Sequence, residues 1–179
     1  MAGLGPAGSR SVTYPPAQHD EGTLTTSTDD LIVASTTGDV DRIRELLDER
    51  PELVDTHAED GSTALHLAAW LGHTKVAGLL LARGADPCSA TANSLAVRPL
   101  GTAAAAGHPV IAHLLLDRGA DVDATQTGGI TPLHAAAAHD DPEMVALLLG
   151  RGADPALATD DGRSAADLTT DPAVAALLP

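Results

Sequence analysis

The chain has 179 residues, a net charge of −15 at pH 7, no Phe, and only one Trp and one Tyr. This length corresponds to one domain or a short array, and with so few aromatic residues Ala and Leu must form the core, which suits thin layers of closely spaced helices. Nucleic acid is excluded as a ligand, because a phosphate-binding surface needs clustered cations and Lys75 is the only lysine.

The negative charge is unevenly distributed along the chain. Residues 30–60 contain ten acidic and three basic residues, residues 61–116 one and three, and residues 117–179 eleven and three. The first interpretation is that the Asp residues are turn and capping residues that keep an array soluble. The alternative is that the acidic ends steer a basic partner protein to the chain.

The sequence shows no feature of an exported or membrane-spanning protein. A single cysteine, Cys88, allows no internal disulfide, which favours a reducing compartment. No stretch approaches about 18 uninterrupted apolar residues, and the first residues lack a basic region followed by an apolar run. We therefore expect a soluble, cytoplasmic protein without a membrane partner.

Residues 1–29 are rich in Gly, Pro, Ser and Thr and show neither a helical nor a strand period. This composition predicts a disordered N-terminal tail. Tyr14 before Pro15 and Pro16 could instead start a short polyproline segment that docks elsewhere.

The rest of the chain is repetitive. Three segments superimpose without a gap: GHTKVAGLLLARGADP (72–87), GHPVIAHLLLDRGADV (107–122) and DDPEMVALLLGRGADP (140–155). Their shared glycines, Gly84, Gly119 and Gly152, lie 35 and 33 residues apart. Such a period indicates stacked supersecondary units rather than one globular core.

The first helices of two units begin with a capping pattern. In TPLHAAAA (131–138), Thr131 is predicted to be the N-cap, Pro132 the first helical residue, and His134 to reach back to the cap as in a capping box. Thr63 and His66 repeat this pattern without the proline. Left-handed glycines are predicted to end these first helices at Gly72 and Gly107.

The second helix of each unit carries a run of three leucines and is predicted to begin near Thr74, Pro109 or Pro142. Arginines close these helices, where a cation interacts favourably with the helix dipole, and Gly84, Gly119 or Gly152 follows. The arginines are Arg83, Arg118 and Arg151. Each unit is therefore predicted to be two short antiparallel helices followed by a turn.

These motifs, at this period, resemble the ankyrin repeat. The resemblance implies an all-α solenoid of stacked helix-turn-helix units with short finger turns, covering residues 30–179. We expect an N-terminal capping repeat, three full repeats and a truncated C-terminal cap, because each unit buries its apolar face only against its neighbours. Their ranges are 30–59, then 60–94, 95–127 and 128–160, and finally 161–179.

Two positions depart from the repeat pattern. The unit that begins near Leu95 has Gly101 in place of the His and Arg98 in place of the capping Thr, and the finger before it is longer by two residues. Losing a capping hydroxyl typically costs about 1 kcal/mol. Asp140 replaces the turn glycine of the last full unit, and Asp tolerates the left-handed conformation better than most residues.

The resemblance also implies a protein-binding scaffold that holds its partner with the fingers and the exposed side of the first helices. The matching positions in this chain are Glu59, Ser62, Trp70, Leu71, Val97, Ala105, Ala106, Ile130, Ala138 and His139. Trp70 is the most informative of them, because Trp is enriched at binding hot spots. The alternative is that Trp70 folds over the neighbouring repeat and fills a gap between alanines.

Enzymatic and metal-binding functions are not expected. Cys88 follows Pro87 in a finger that offers no positioned base or oxyanion donor. Equivalent histidines such as His73 and His108 lie on successive packed helices, about 8–10 Å apart, whereas zinc ligands must each come within about 2.1 Å of one ion. We therefore predict no catalytic residue, no metal and no cofactor.

The sequence thus predicts a monomeric scaffold without enzymatic activity that binds another protein through its concave face. That partner is expected to be basic or to carry an apolar anchor. The alternative function is an acidic regulatory or inhibitory subunit that blocks a basic partner by charge.

Overall fold

The computed structural model describes residues 28–178 of the protein, and the predicted tail falls almost entirely outside them. Helix α1 begins at Thr28, inside the segment predicted as tail. The described residues contain nine α-helices and no β-strand. The helices are α1 Thr28–Thr37, α2 Val40–Glu49, α3 Ala64–Leu71, α4 Thr74–Ala82, α5 Pro99–Ala105, α6 Pro109–Asp117, α7 Pro132–Ala138, α8 Pro142–Gly150 and α9 Pro172–Ala175. Two short 3₁₀ helices cover Pro51–Asp55 and Ala165–Asp167.

The helices form two layers. Each odd-numbered helix from α1 to α7 packs against the next odd-numbered one, and the even-numbered helices α2 to α8 pack in the same way. Within a pair, the two consecutive helices also contact each other. This arrangement confirms the predicted solenoid of stacked helix pairs. None of the helices within residues 28–178 is long and apolar enough to cross a membrane.

The capping chemistry explains where the first helices begin. His134 Nδ1 accepts hydrogen bonds from the Thr131 N–H (3.3 Å) and hydroxyl (2.8 Å), which confirms the predicted capping box. His134 Nε2 donates to the Arg163 carbonyl at 3.2 Å. Each such histidine therefore caps its own helix and binds the following unit.

Left-handed residues end the first helices, as predicted. Gly72 (φ 75°) and Gly107 (φ 70°) occupy this position, and Asp140 takes it with φ 52°. A Cβ at Gly72 would lie 2.7 Å from the His108 ring, whose Nε2 donates to the Trp70 carbonyl at 3.2 Å. Glycine is therefore required at position 72 by both its dihedral angle and its neighbour.

Asp140 also connects the last full unit to the C-terminal residues. Its carboxylate accepts hydrogen bonds from the Thr169 hydroxyl (2.6 Å), the Thr170 hydroxyl (2.7 Å) and N–H (2.9 Å), and the Asp171 N–H (3.0 Å). The Thr169 and Thr170 hydroxyls hold the pKa of this carboxyl well below its usual range. The replacement of glycine by Asp thus provides a contact that glycine could not make.

The second helices begin at Thr74, Pro109 and Pro142 as predicted. The arginines that follow them are C-cap residues, and two of these arginines also reach the preceding unit. Arg83 pairs with Asp48 and Arg151 with Asp117, both at 2.9 Å. Electrostatic contacts therefore add to apolar burial between neighbouring units.

Small side chains allow the helices to pack closely. Ala69, Ala104 and Ala137 occupy the same place in three first helices and are fully buried. The equivalent residue of α1 is Ser35, which is also 0 % exposed and whose hydroxyl has no hydrogen-bond partner within residues 28–178.

Replacing Ser35 with Ala is expected to stabilise the chain by about 1 kcal/mol, because a buried hydroxyl without a partner keeps its desolvation cost and Ala has the better helix propensity. Urea unfolding of the wild type and of Ser35→Ala would measure this change. A destabilised variant would show that the hydroxyl has a stabilising partner.

The lengthened finger, residues 87–98, is folded on itself. Thr91 N–H donates to the Val97 carbonyl at 2.8 Å, and the Thr91 hydroxyl accepts from Val97 N–H at 3.0 Å. The Ala92 N–H donates to the Gly61 carbonyl at 2.7 Å, and Thr127 N–H donates to the Leu95 carbonyl at 3.0 Å. The lengthened finger is thus hydrogen-bonded to the finger before it and to the finger after it.

Candidate functional site

A depression in the surface of residues 28–178 lies where helices α3 and α5 meet the finger. It has a volume of about 390 Å³ and a mostly apolar lining, which places it at the small end of protein ligand sites. We call it the α3–α5 groove. Its lining includes His66, Leu67, Trp70, Val97, Thr102 and Ala105.

Trp70 lies on one side of the α3–α5 groove. It lies in the last turn of α3, and 56 % of its surface is exposed. Leu67, three residues earlier, lies on the same side of the helix and also lines the groove. Val33, which occupies in α1 the place that Leu67 has in α3, is 61 % exposed. An apolar strip therefore extends from the groove towards the N-terminal helix pair.

The predicted partner-binding residues divide into two groups. Ser62, Trp70, Val97 and Ala105 line the α3–α5 groove together. Ser62 is nevertheless largely buried, and its hydroxyl donates a hydrogen bond to the Asp60 carboxylate. The remaining residues lie outside this lining: Glu59, Leu71, Ala106, Ala138 and His139, with Ile130 lining a separate shallow depression. Of these, Glu59, Leu71, Ala138 and His139 are exposed, and Ala106 and Ile130 are half-buried.

His66 forms the polar part of the groove wall. Its Nδ1 accepts from the Thr63 N–H (3.2 Å) and hydroxyl (2.8 Å). Since the Val97 carbonyl can only accept, Nε2 carries the ring proton and donates to it at 2.9 Å. The histidine therefore joins α3 to the end of the long finger, and the acceptor role of Nδ1 requires the neutral ring. Burial lowers the pKa of His66 below its usual value, and the Val97 carbonyl opposes this shift only in part.

This environment predicts a pH dependence of stability. Because the pKa of His66 is lower in the folded chain than in the unfolded chain, the unfolded state binds more protons as the pH falls below about 6.5. The free energy of unfolding should therefore be highest above that pH and decrease below it. Urea unfolding between pH 8 and pH 5 would measure the slope, and His66→Gln, which cannot titrate, should have a smaller slope. An unchanged slope in the variant would contradict the prediction.

Sequence reasoning missed several groove residues. Leu67 could have been found, because residues three apart share a helix face and Trp70 was already a candidate. Gly101 was recognised as a departure from the repeat, but not as an opening in the surface. Nothing in the sequence indicated that Thr91 and Asn93 belong to the groove, because only the folded conformation of the long finger brings them there.

The other chemistry-bearing residues lie apart from the groove. The Cys88 N–H donates to Asp86 at 2.8 Å and its thiol donates to the Gly119 carbonyl at 3.6 Å. Within residues 28–178, no three His, Cys, Asp or Glu side chains gather in a way that could hold a metal ion.

Comparison with protein families agrees with this architecture. A model described as ankyrin repeats in three copies matches residues 88–159, and a model of the single ankyrin repeat matches residues 60–92. Together these matches cover residues 60–159, more than half of the chain. No curated protein was found to match the sequence. Ankyrin repeats are generally modules of protein–protein interaction and are typically not enzymes. The chain therefore belongs to the ankyrin repeat family.

Proposed function

We propose that this chain is a non-enzymatic scaffold that binds a partner protein through its concave face, with Trp70 as the main anchor. The observation that carries the proposal is the exposure of the only Trp of the chain at the edge of an apolar groove. Truncating a Trp at the centre of an interface often costs about 2 kcal/mol or more of binding free energy. Exposed Leu71 and the predicted positions Glu59, Ile130, Ala138 and His139 would extend the contact.

The proposed domain organisation follows from the same stacking. Residues 30–59 and 161–179 act as polar caps, and 60–94, 95–127 and 128–160 are the repeats between them, because terminal units must leave a wettable outer face. The single cysteine, Cys88, allows no internal disulfide, which supports action in the reducing cytoplasm.

The double variant Trp70→Ala with Leu71→Ser is expected to abolish capture of the partner from the cell lysate without changing the helical circular dichroism. The fold should be retained because both side chains are exposed, by 56 % and 41 %. Val110→Ala is the matched control, since Val110 is 59 % exposed but belongs to α6 in the other helix layer. The proposal fails if the double variant unfolds, or if it captures the same partner as the wild type.

An acidic inhibitory subunit is the second candidate function. Six arginines of the described residues pair with carboxylates, so little positive charge is left to offset the exposed acids; they are Arg42, Arg44, Arg50, Arg83, Arg151 and Arg163. Salt separates the two functions, because the screening length falls from about 10 Å at 0.1 M to about 3 Å at 1 M. Raising the salt should release a partner held by charge alone, and should weaken contacts with Trp70 much less.

A further inference from the structure

The α3–α5 groove contains an opening at a position that histidine occupies in the neighbouring units. His66 and His134 are the third residues of α3 and α7, and both are buried between their own helix and the following finger. The third residue of α5 is Gly101. Of the atoms in the described part of the chain, a Cβ at Gly101 would meet only one within 4 Å, the Val97 Cγ1 at 3.9 Å. The missing imidazole thus leaves open space in the wall of the groove.

The polar groups around this opening favour a cation. Among the described residues, Asp60 is the only charged one that lines the α3–α5 groove. Its carboxylate accepts from the Ser62 hydroxyl and from the Ser62 N–H (2.8 Å), and these bonds lower its pKa, so that it remains ionised. Glu59 beside it is exposed. Arg98, which follows the lining residue Val97 in the chain, is already engaged, because its guanidinium donates to the Thr125 carbonyl at 2.7 Å.

Trp70 adds a second attraction for the same charge. An exposed indole face binds Arg or Lys through its quadrupole, and the aliphatic stem of either residue can cover apolar surface while its charged head reaches a carboxylate. Gln126 also lines the groove, and its amide side chain can both donate and accept hydrogen bonds. Such an amide matches the donors and acceptors of an extended peptide backbone.

We propose that the α3–α5 groove binds an extended segment of a basic partner protein, in which one aliphatic side chain enters the opening at Gly101 and an adjacent Arg or Lys contacts Trp70 and Asp60. The inference rests on the proposed scaffold function and specifies what the partner must carry. The charge complementarity between the groove and a basic segment selects this occupant over an acidic or uncharged one.

The probe is a library of random twelve-residue peptides displayed on phage and selected against the full-length chain. Enriched peptides should combine an aliphatic residue with a neighbouring Arg or Lys. A Trp-free synthetic copy of one such peptide can be titrated by the fluorescence of Trp70, because the protein has no other Trp. Gly101→Leu should raise its Kd at least about tenfold, since the new side chain fills the space of the aliphatic anchor.

Gly78→Leu is the matched control. Gly78 lies inside α4, a Cβ there would also meet no atom within 4 Å, and Gly78 does not line the groove. Both substitutions replace a helical glycine by a good helix former, so both should retain or increase stability, but only Gly101→Leu should weaken the peptide. If Gly101→Leu loses its helical circular dichroism, Gly101→Ala fills less space and should show a smaller loss of affinity in the same direction.

The outcomes separate this inference from the scaffold function. Enrichment of acidic or uncharged peptides, failure to enrich any peptide, or an equal effect of the two Leu variants overturns the inference. If capture of a partner from the lysate still depends on Trp70 in those cases, the scaffold function stands. If neither peptide binding nor lysate capture depends on Trp70, the proposed function fails as well.

Discussion

The variant His134→Ala is expected to destabilise the chain by about 2–4 kcal/mol, because it leaves a buried backbone donor without a partner. His134 is 1 % exposed, and its Nδ1 is the acceptor of the Thr131 N–H, which is itself buried. The Arg163 carbonyl loses the Nε2 donor but keeps the Thr159 N–H at 2.9 Å. The loss of stability should therefore come mainly from the unpaired Thr131 N–H at the start of α7 and from the cavity that the ring leaves.

Urea unfolding would measure this loss, and His139→Ala is the control within the same unit. His139 is the C-cap of α7, is exposed, and its ring Nδ1 donates to the Ala135 carbonyl at 2.9 Å, so replacing its side chain should cost less than about 0.5 kcal/mol. Hydrogen exchange should also accelerate in residues 163–178 of the His134 variant, because the stack loses one of its links to the C-terminal residues. Equal costs for the two variants would show that the buried histidine contributes no more than a surface one.

The positions of the helices could be predicted because their signals are local. Thr131 and His134 are three residues apart, and the prolines Pro109 and Pro142 mark helix starts by their own backbone geometry. Gly72 and Asp140 end their helices through dihedral angles that few other residues adopt. Each of these predictions needed only a few adjacent residues, and the structure confirms them.

The groove could be predicted only in part, because its shape depends on contacts between distant residues. Trp70 was identified from its place in the repeat, but the finger residues were not. Asn93 reaches the groove because its side-chain amide donates to the Asp60 carbonyl at 2.9 Å, 33 residues away. Packing likewise decides that the Ser35 hydroxyl has no hydrogen-bond partner among the described residues. The sequence does not indicate which groups will surround it.

The variant Gly61→Ala tests how closely the fingers are held together, and it is expected to cost about 2–5 kcal/mol through two separate effects. Gly61 has φ +83°, where a side chain is strained, and its Cβ would lie 2.9 Å from the Asn93 nitrogen and 3.0 Å from backbone atoms of Ala92. Backbone atoms cannot rotate away as a flexible side chain can. The finger must therefore shift, which breaks the 2.7 Å bond from the Ala92 N–H to the Gly61 carbonyl and moves Thr91 and Asn93 in the groove.

The matched control for Gly61 is Gly84→Ala, because it separates backbone strain from the steric contact. Gly84 has φ +93° but a Cβ there would meet no atom within 4 Å, so this variant should cost only the strain, about 1–2 kcal/mol. The difference between the two free energies of unfolding then measures the contact between fingers. Hydrogen exchange at the Ala92 amide should accelerate in Gly61→Ala and remain unchanged in Gly84→Ala. Equal free energies of unfolding for the two variants would mean that the long finger shifts at no energetic cost. The finger residues that line the α3–α5 groove would then not be held in a fixed position.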